Sequence, residues 1–176
     1  LERMGSITRQ LKSYARKGAD TFEPVDLCCV IGSVLSMMEL QLKEGAVQIT
    51  SVTPDYPIWV LGDRVRIEQV LVNLLHNAVD ATHGVAGPQI EISLQSGVSA
   101  SLSVRDNGDG VQDLDALFEP FYTTKQPGEG VGLGLAISSG IVTELGGRLT
   151  ARNGQERGAI FEMQLPILVD HIAAAE

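Results

Sequence analysis

The sequence predicts a two-layer α/β (α+β) sandwich: a mixed, mainly antiparallel sheet covered on one face by about three helices, with a helical stub ahead of it. Two observations lead there. Alternating segments at 89–95 and 99–105, and again at 148–153 and 159–165, lie close enough in sequence to pair as hairpins. Helical and strand patterns also alternate irregularly and without internal repeats, unlike the regular βα succession of a doubly wound parallel sheet.

The elements follow in order. Leu1, Met4, Ile7, Leu11 and Tyr14 recur at three-or-four spacing, like a coiled-coil seam, with Arg3, Arg9, Lys12, Arg16 and Lys17 around it. Gly18 ends that stub, and 19–25, with Thr21-Phe22-Glu23-Pro24, reads as a linker to a domain over 26–166. Asp26 is the expected N-cap of a helix whose Leu27, Ile31, Val34, Leu35, Met38 and Leu42 share one face. Val47–Val52 and Ile58–Leu61 read as strands, and Asp63 as the cap of a helix reaching about Ala81. In the next two strands Ile90, Ile92 and Leu94, then Ala100, Leu102 and Val104, point inward. Residues 111–131 hold few core-forming side chains and much Gly, Pro and Thr, a length without regular structure that reads as a lid. Leu133–Leu145 is helical and stops at Gly146-Gly147; Arg148–Asn153 and Ala159–Leu165 form the last hairpin, and the tail 167–176 carries little signal.

The 176 residues are 44% hydrophobic and 20% charged, enough to bury a core. A net charge of -9 argues against nucleic acid as a partner, and a divalent cation would offset the charge of a bound polyphosphate. Cys28 and Cys29 are adjacent within a helical pattern, so neither a disulfide framework nor an ordinary zinc site is expected, and a reducing compartment fits. No run is long and apolar enough to span a membrane, and no signal peptide is seen. The opening Leu1-Glu2-Arg3 lacks an initiator Met, so a piece of a longer protein is expected.

The candidate chemistry sits in three places. On the 63–81 helix, Arg66, Gln69, Asn73, Asn77 and Asp80 fall on a second face. For any one of them a solvated face is the simpler reading. Asn is a poor helix former, however, and two Asn one turn apart suit polar groups aimed at a ligand, with the amide oxygen a good partner for Mg2+. Asp106 continues the inward parity of its strand, and a carboxylate aimed at a core needs a partner. Gly108 and Gly110 leave room beside it, and an acceptor-only carboxylate suits the exocyclic amine of adenine; a turn-forming Asp-Asn-Gly is the alternative. Gly128-Glu-Gly130-Val131-Gly132-Leu133-Gly134 opens a helix whose N-terminus can hold phosphate, although it lacks the lysine-serine pair of a Walker A loop. Lys125 is placed to reach a phosphate, and Phe118 and Phe121 either anchor a lid or pack.

The order of these motifs, with Phe118-Glu-Pro-Phe121 between the glycine segments, resembles the N, G1, F and G2 boxes of sensor histidine kinases, within the Bergerat-fold ATPase superfamily of gyrase B, Hsp90 and MutL. The resemblance is close over 63–165. It extends to Gly146-Gly147, Asn153, Gly158-Ala159-x-Phe161 and Leu165-Pro166, while Pro120-Phe-Tyr-Thr-Thr-Lys125 is similar to the nitrogen-regulatory and C4-dicarboxylate-transport sensor kinases. It implies ATP and Mg2+ as cofactors, Asn77 as the magnesium ligand, Asp106 as the adenine acceptor, and Lys125 with the backbone of Gly130, Gly132 and Gly134 on the phosphates. Asn73, Asp80, Gly108, Gly110, Thr124, Val131 and Leu133 are implied along the nucleotide as well. Asn73 stands where the gyrase and Hsp90 branch carries a water-activating Glu, and an amide cannot be that base. Asp80 departs from the Lys that many histidine kinases carry there. Residues 1–18 resemble the end of the second helix of a dimerisation and phosphotransfer domain. The only histidines are His76, His83 and His171, none in a setting like the family's acceptor, so the acceptor is expected on another segment. A response regulator, a homodimeric full-length protein and a cytoplasmic location are implied too. An ATP-driven clamp of the Hsp90 or MutL type and a sigma-factor-binding serine kinase are the alternatives.

Overall fold

The computed structural model describes residues 22–124 and 131–168. The stub at 1–18 and the tail from 169 lie outside them. Five strands make the main sheet in the order β2-β4-β5-β7-β6: β2 (Gln48–Val52), β4 (Gln89–Ser96), β5 (Ser99–Asp106), β6 (Arg148–Asn153) and β7 (Ala159–Pro166). β4–β5 and β6–β7 pair as the expected antiparallel hairpins, and β5–β7 joins them. β2 runs parallel to β4, a pairing that needs a crossover, which α2 (Arg64–Ala81) supplies.

Two expectations need correction. Of the linker expected at 19–25, residues 23–25 belong to strand β1 (Glu23–Asp26). The strand expected at Ile58–Leu61 is β3 (Trp59–Gly62), and it pairs with β1 in a separate antiparallel ribbon instead of joining the main sheet. The start of the tail closes on that ribbon, because Ile167 bridges Val60 and the Leu168 N–H donates to the Trp59 carbonyl.

Both predicted N-caps are made. Asp26 accepts from the Cys28 N–H at the start of α1 (Leu27–Glu44), and Asp63 accepts from Val65 and Arg66 at the start of α2. α1, α2 and α3 (Gly134–Glu144) cover one face of the sheet. Leu27, Ile67, Leu71, Leu74, Leu75, Ile90, Ile92 and Leu102 are fully buried between the layers. Each such side chain contributes about 1.5–3 kcal/mol through the area it removes from water. The other sheet face is polar, with Ser93 bonded to Ser103 and Ser101 to Glu162. The polar groups that matter for chemistry lie at one end of the layered core, where α2, β5, the β6–β7 hairpin tip and the start of α3 meet.

Candidate nucleotide-binding site

The row Asn73, Asn77, Ala81 on α2, spaced four residues apart, organises this end of the molecule. At its lower end Asn73 Nδ2 donates to Ser138 Oγ of α3 at 3.0 Å. Asn73 Oδ1 lies so close to Gly134 that a Cβ there would meet it at 2.4 Å, so a larger residue at the start of α3 would displace the Asn73 amide. At the upper end the Ala81 carbonyl lies 2.4 Å from where a Gly108 Cβ would stand. Asn77 sits between these two contacts. Its Nδ2 is buried with no hydrogen-bond partner among the described residues. An unmatched buried donor costs about 1–3 kcal/mol, and a flip of the amide would present the oxygen instead. An unsatisfied amide between the two glycine segments is what a site waiting for a ligand provides.

The polar face read from the sequence is therefore only partly open. Arg66 pairs with Glu144 of α3, and Asn73 is held by Ser138, so two of the five side chains of that face pack helix on helix. Asp80 and His76 are exposed, and His83 just past α2 is exposed too.

Asp106 is buried to 2% exposure at the end of β5, as the strand parity predicts. Its Oδ1 accepts from the Gly108 N–H at 2.8 Å and from the Ala159 N–H at 3.2 Å. Oδ2 accepts no hydrogen bond among the described residues. Burial pushes this carboxyl above its ordinary value, while the N–H groups of Gly108 and Ala159 and the positive charge of Arg157 pull it partway back. The geometry gives Gly108 a packing reason for being glycine, since Ala81 occupies the space a side chain would need. Gly110 has φ +80°, and a Cβ there would press on Asn153 Oδ1.

The loop Asp106–Gly110 is braced by residues whose role the sequence does not announce. Asn107 accepts from the Gln89 N–H at 2.9 Å and donates to the Gly87 carbonyl at 2.9 Å, fixing the entrance of the loop. Asn153, at the end of β6, accepts from the Val111 N–H and donates to its carbonyl, fixing the exit. The hairpin tip then folds over the loop: Arg157 Nε donates to the Gly108 carbonyl at 3.4 Å, and Gly158, with φ +78°, lies where a Cβ would come within 1.9 Å of the Asp106 carbonyl. The asparagines at strand ends are the one signal that could have found them, since Asn is depleted in strands. For Ser138 the signal is a serine on the buried side of an apolar helix.

The expected lid is structured in its first part. Asp113 accepts from the N–H groups of Asp115 and Ala116 and starts a turn that carries Leu117 and Phe118 onto the core, with Tyr122 packed nearby. Phe121 instead is 70% exposed, with φ +70°, and its N–H donates to the Gly132 carbonyl. Thr124 is exposed. Lys125 and Gly128–Gly130 lie outside the described residues. Val131 is exposed, Gly132 has φ +69°, and Leu133 is the N-cap of α3 without any side chain capping it. The N-cap residue thus offers no side-chain acceptor to the first turn of α3, an arrangement that suits an anion.

A buried carboxylate, an amide nitrogen unmatched among the described residues and a helix N-terminus without a side-chain cap lie at this end of the domain. The chain belongs to the family described as histidine kinase-, DNA gyrase B- and HSP90-like ATPase, whose profile matches residues 62–169. Within that family it is a histidine kinase catalytic domain of the sensor-kinase type. It is 40% identical, over 98% of its length, to the C4-dicarboxylate transport sensor protein DctB of Pseudomonas aeruginosa, of which it spans 29%. The catalytic domain of histidine kinase ThkA, in a nucleotide-free form, is 30% identical with a TM-score of 0.73, covering 82% of this chain and 97% of that one. ThkA in complex with the response regulator protein TrrA is 26% identical with a TM-score of 0.78, covering 94% of this chain and 47% of that one. The chain spans 19% and 26% of two further sensor relatives. No helix among the described residues is long and apolar enough to cross a membrane.

Proposed function

We propose that this domain binds Mg-ATP with its adenine on Asp106 and its phosphates toward the start of α3, and that it delivers the γ-phosphoryl group to a histidine on a separate helical segment. The observation that carries this reading is the Asp106 carboxylate. It is buried, tied through one oxygen to two backbone N–H groups, and left with one oxygen that accepts nothing among the described residues. The second oxygen is not among the buried unmatched side-chain atoms, so it is open to a donor from outside, and the adenine amine is such a donor.

The residues fit a magnesium ion. Among the described residues no cluster of three or more His, Cys, Asp or Glu side chains could hold a metal by itself. Mg2+ does not need one, since it keeps several waters and takes one or two protein oxygens together with substrate phosphates. The Asn77 amide, unmatched in this structure, is the protein oxygen in this reading. When bound, the ion neutralises the phosphate charge that builds up during transfer. Lys125 and the backbone of Gly130, Gly132 and Gly134 hold the phosphates, with Asp80, Thr124, Val131 and Leu133 along the same path. Asn73 packs against Gly134 and Ser138, and its amide has no basic site to activate water, so the bound ATP is kept for an imidazole acceptor.

The phosphohistidine then serves an aspartate of a response regulator, as the ThkA–TrrA pairing suggests, and C4-dicarboxylate sensing is the suggestion of the DctB relative. A homodimeric full-length sensor whose catalytic part lies in the cytoplasm completes the proposal. Residues 26–166 form the catalytic unit in it, 1–18 the end of a dimerisation helix, and 111–131 the lid. Binding of Mg-ATP, Mg-ADP and Mg-GTP to the chain, followed by fluorescence of a labelled nucleotide, tests the reading. Adenine nucleotides bind with Mg2+ and guanine nucleotides bind at least tenfold more weakly, about the 1.4 kcal/mol of one selective hydrogen bond. Equal affinity for GTP contradicts it.

A further inference from the structure

The β6–β7 hairpin lies outside the segments to which the nucleotide reading assigns a role, yet its tip ties down the Asp106–Gly110 loop at several points. Asn153 Oδ1 accepts from the Val111 N–H at 2.7 Å and Asn153 Nδ2 donates to the Val111 carbonyl at 2.9 Å. One side chain thereby supplies both halves of a strand pairing to a segment that has no strand partner there. The hairpin is closed behind it by the Gly154 N–H donating to the Gly158 carbonyl at 2.8 Å. Beyond the tip, the Ala159 N–H donates to Asp106 Oδ1. The loop is therefore held at its exit by Asn153 and at its carboxylate by Ala159, two points on one rigid hairpin.

We propose that Asn153 is a positioning residue for nucleotide binding, fixing the exit of the 106–110 loop so that the Asp106 carboxylate is held where the adenine amine meets it. The inference rests on the nucleotide reading above. Two facts separate it from a general packing role. Asn153 is exposed, so its loss opens no cavity in the core. Its partner is the backbone of Val111, and Asn153 Oδ1 stands 2.8 Å from where a Cβ on the neighbouring Gly110 would be. Among the described residues no other side chain hydrogen-bonds the Val111 backbone, although the Val111 side chain packs against the core, so removing Asn153 loosens the backbone turn at Gly110, with φ +80°. The cost falls on the ligand, because binding must then order what was ordered before.

The test is a double-substitution cycle on the full chain, using Asn153→Ala, Asp106→Asn and both together, with Mg-ADP and Mg-ATP affinities measured for each. Wild-type binding comes first, and its absence refutes the nucleotide reading itself, whatever Asn153 does. Given wild-type binding, Asn153→Ala weakens both nucleotides by the same factor, about tenfold for the loss of two backbone hydrogen bonds. The ADP-to-ATP ratio is unchanged because the effect is on the base and not on the phosphates. In the Asp106→Asn background the Asn153 effect falls to less than about twofold, the size of ordinary non-additivity. Amide exchange at Val111 speeds up in Asn153→Ala, and Asn153→Asp, which keeps the acceptor half, recovers part of the affinity. An unchanged affinity with faster Val111 exchange overturns the proposal, and so does an equal effect in both backgrounds.

Discussion

Replacing Asp106 by asparagine changes one buried atom and separates the demands of the fold from those of the ligand. In the folded protein the asparagine oxygen can still accept from Gly108 and Ala159, as Asp106 Oδ1 does at 2.8 and 3.2 Å. The amide nitrogen then takes the place of Oδ2 and presents a donor where, in the proposed binding mode, the adenine amine also donates. The ligand loses a hydrogen bond to a charged acceptor, about 1.5–3 kcal/mol, or about 10- to 150-fold in affinity. The fold is affected differently. Burial raises the Asp106 carboxyl above its unfolded value, so the folded state favours the protonated form. That contribution is fully present below the unfolded value and is lost as pH rises through the raised folded value, so at neutral pH the ionised carboxylate destabilises the empty protein. Asparagine removes this penalty and adds an unpartnered N–H, two opposed effects of similar scale, so stability without ligand changes by less than about 1 kcal/mol. Isothermal titration with Mg-ADP and thermal melts without nucleotide measure the two sides. A variant that binds ADP as tightly as wild type refutes the role of Asp106. A variant that fails to fold refutes the claim that Gly108 and Ala159 alone satisfy the folded state's demand.

Further outcomes follow from the same geometry. ADP affinity falls as pH is lowered through the raised Asp106 value, because binding needs the ionised acceptor, and this pH dependence disappears in Asp106→Asn; a flat profile in the wild type contradicts it. Asn77→Ala removes an unmatched buried donor, so melts without nucleotide show an equal or higher midpoint while the Mg2+-dependent part of ATP affinity is lost; a large drop in the midpoint contradicts it. Gly158→Ala brings a Cβ to 1.9 Å from the Asp106 carbonyl at a positive φ, so chemical denaturation should show a loss of about 3 kcal/mol or more; a near-neutral substitution contradicts the packing of hairpin on loop. Ser138→Ala leaves Asn73 Nδ2 without its partner and costs about 1–2 kcal/mol by the same measurement.

The layers were legible from the sequence because local chemistry carried them. Asp26 and Asp63 announce their helices as N-caps, and the alternation of Ala100, Leu102 and Val104 by itself places Asp106 on the buried side of its strand. β1 was not legible. It has four residues, one of them proline, and its only reason to be a strand is Trp59–Gly62, far along the chain. The same limit applies to the site. The two Asn of α2 stand out by composition, but only the packed structure shows that Asn73 faces α3 while Asn77 stays unmatched. The partner of Asn153 lies 42 residues away, at a backbone position that no pattern marks.

In the proposed function this domain supplies phosphoryl groups to a histidine outside itself. The direct measurement is incubation of the chain with Mg-ATP labelled in the γ-phosphate, alone and with a separate histidine-bearing helical domain, followed by acid and base treatment of the products. Phosphate should appear on the added domain, acid-labile and base-stable, should vanish when the acceptor histidine is replaced, and should not appear on the chain alone. Acid-labile phosphate on His76, His83 or His171 of the isolated chain, or release of inorganic phosphate with none on the added histidine, contradicts it.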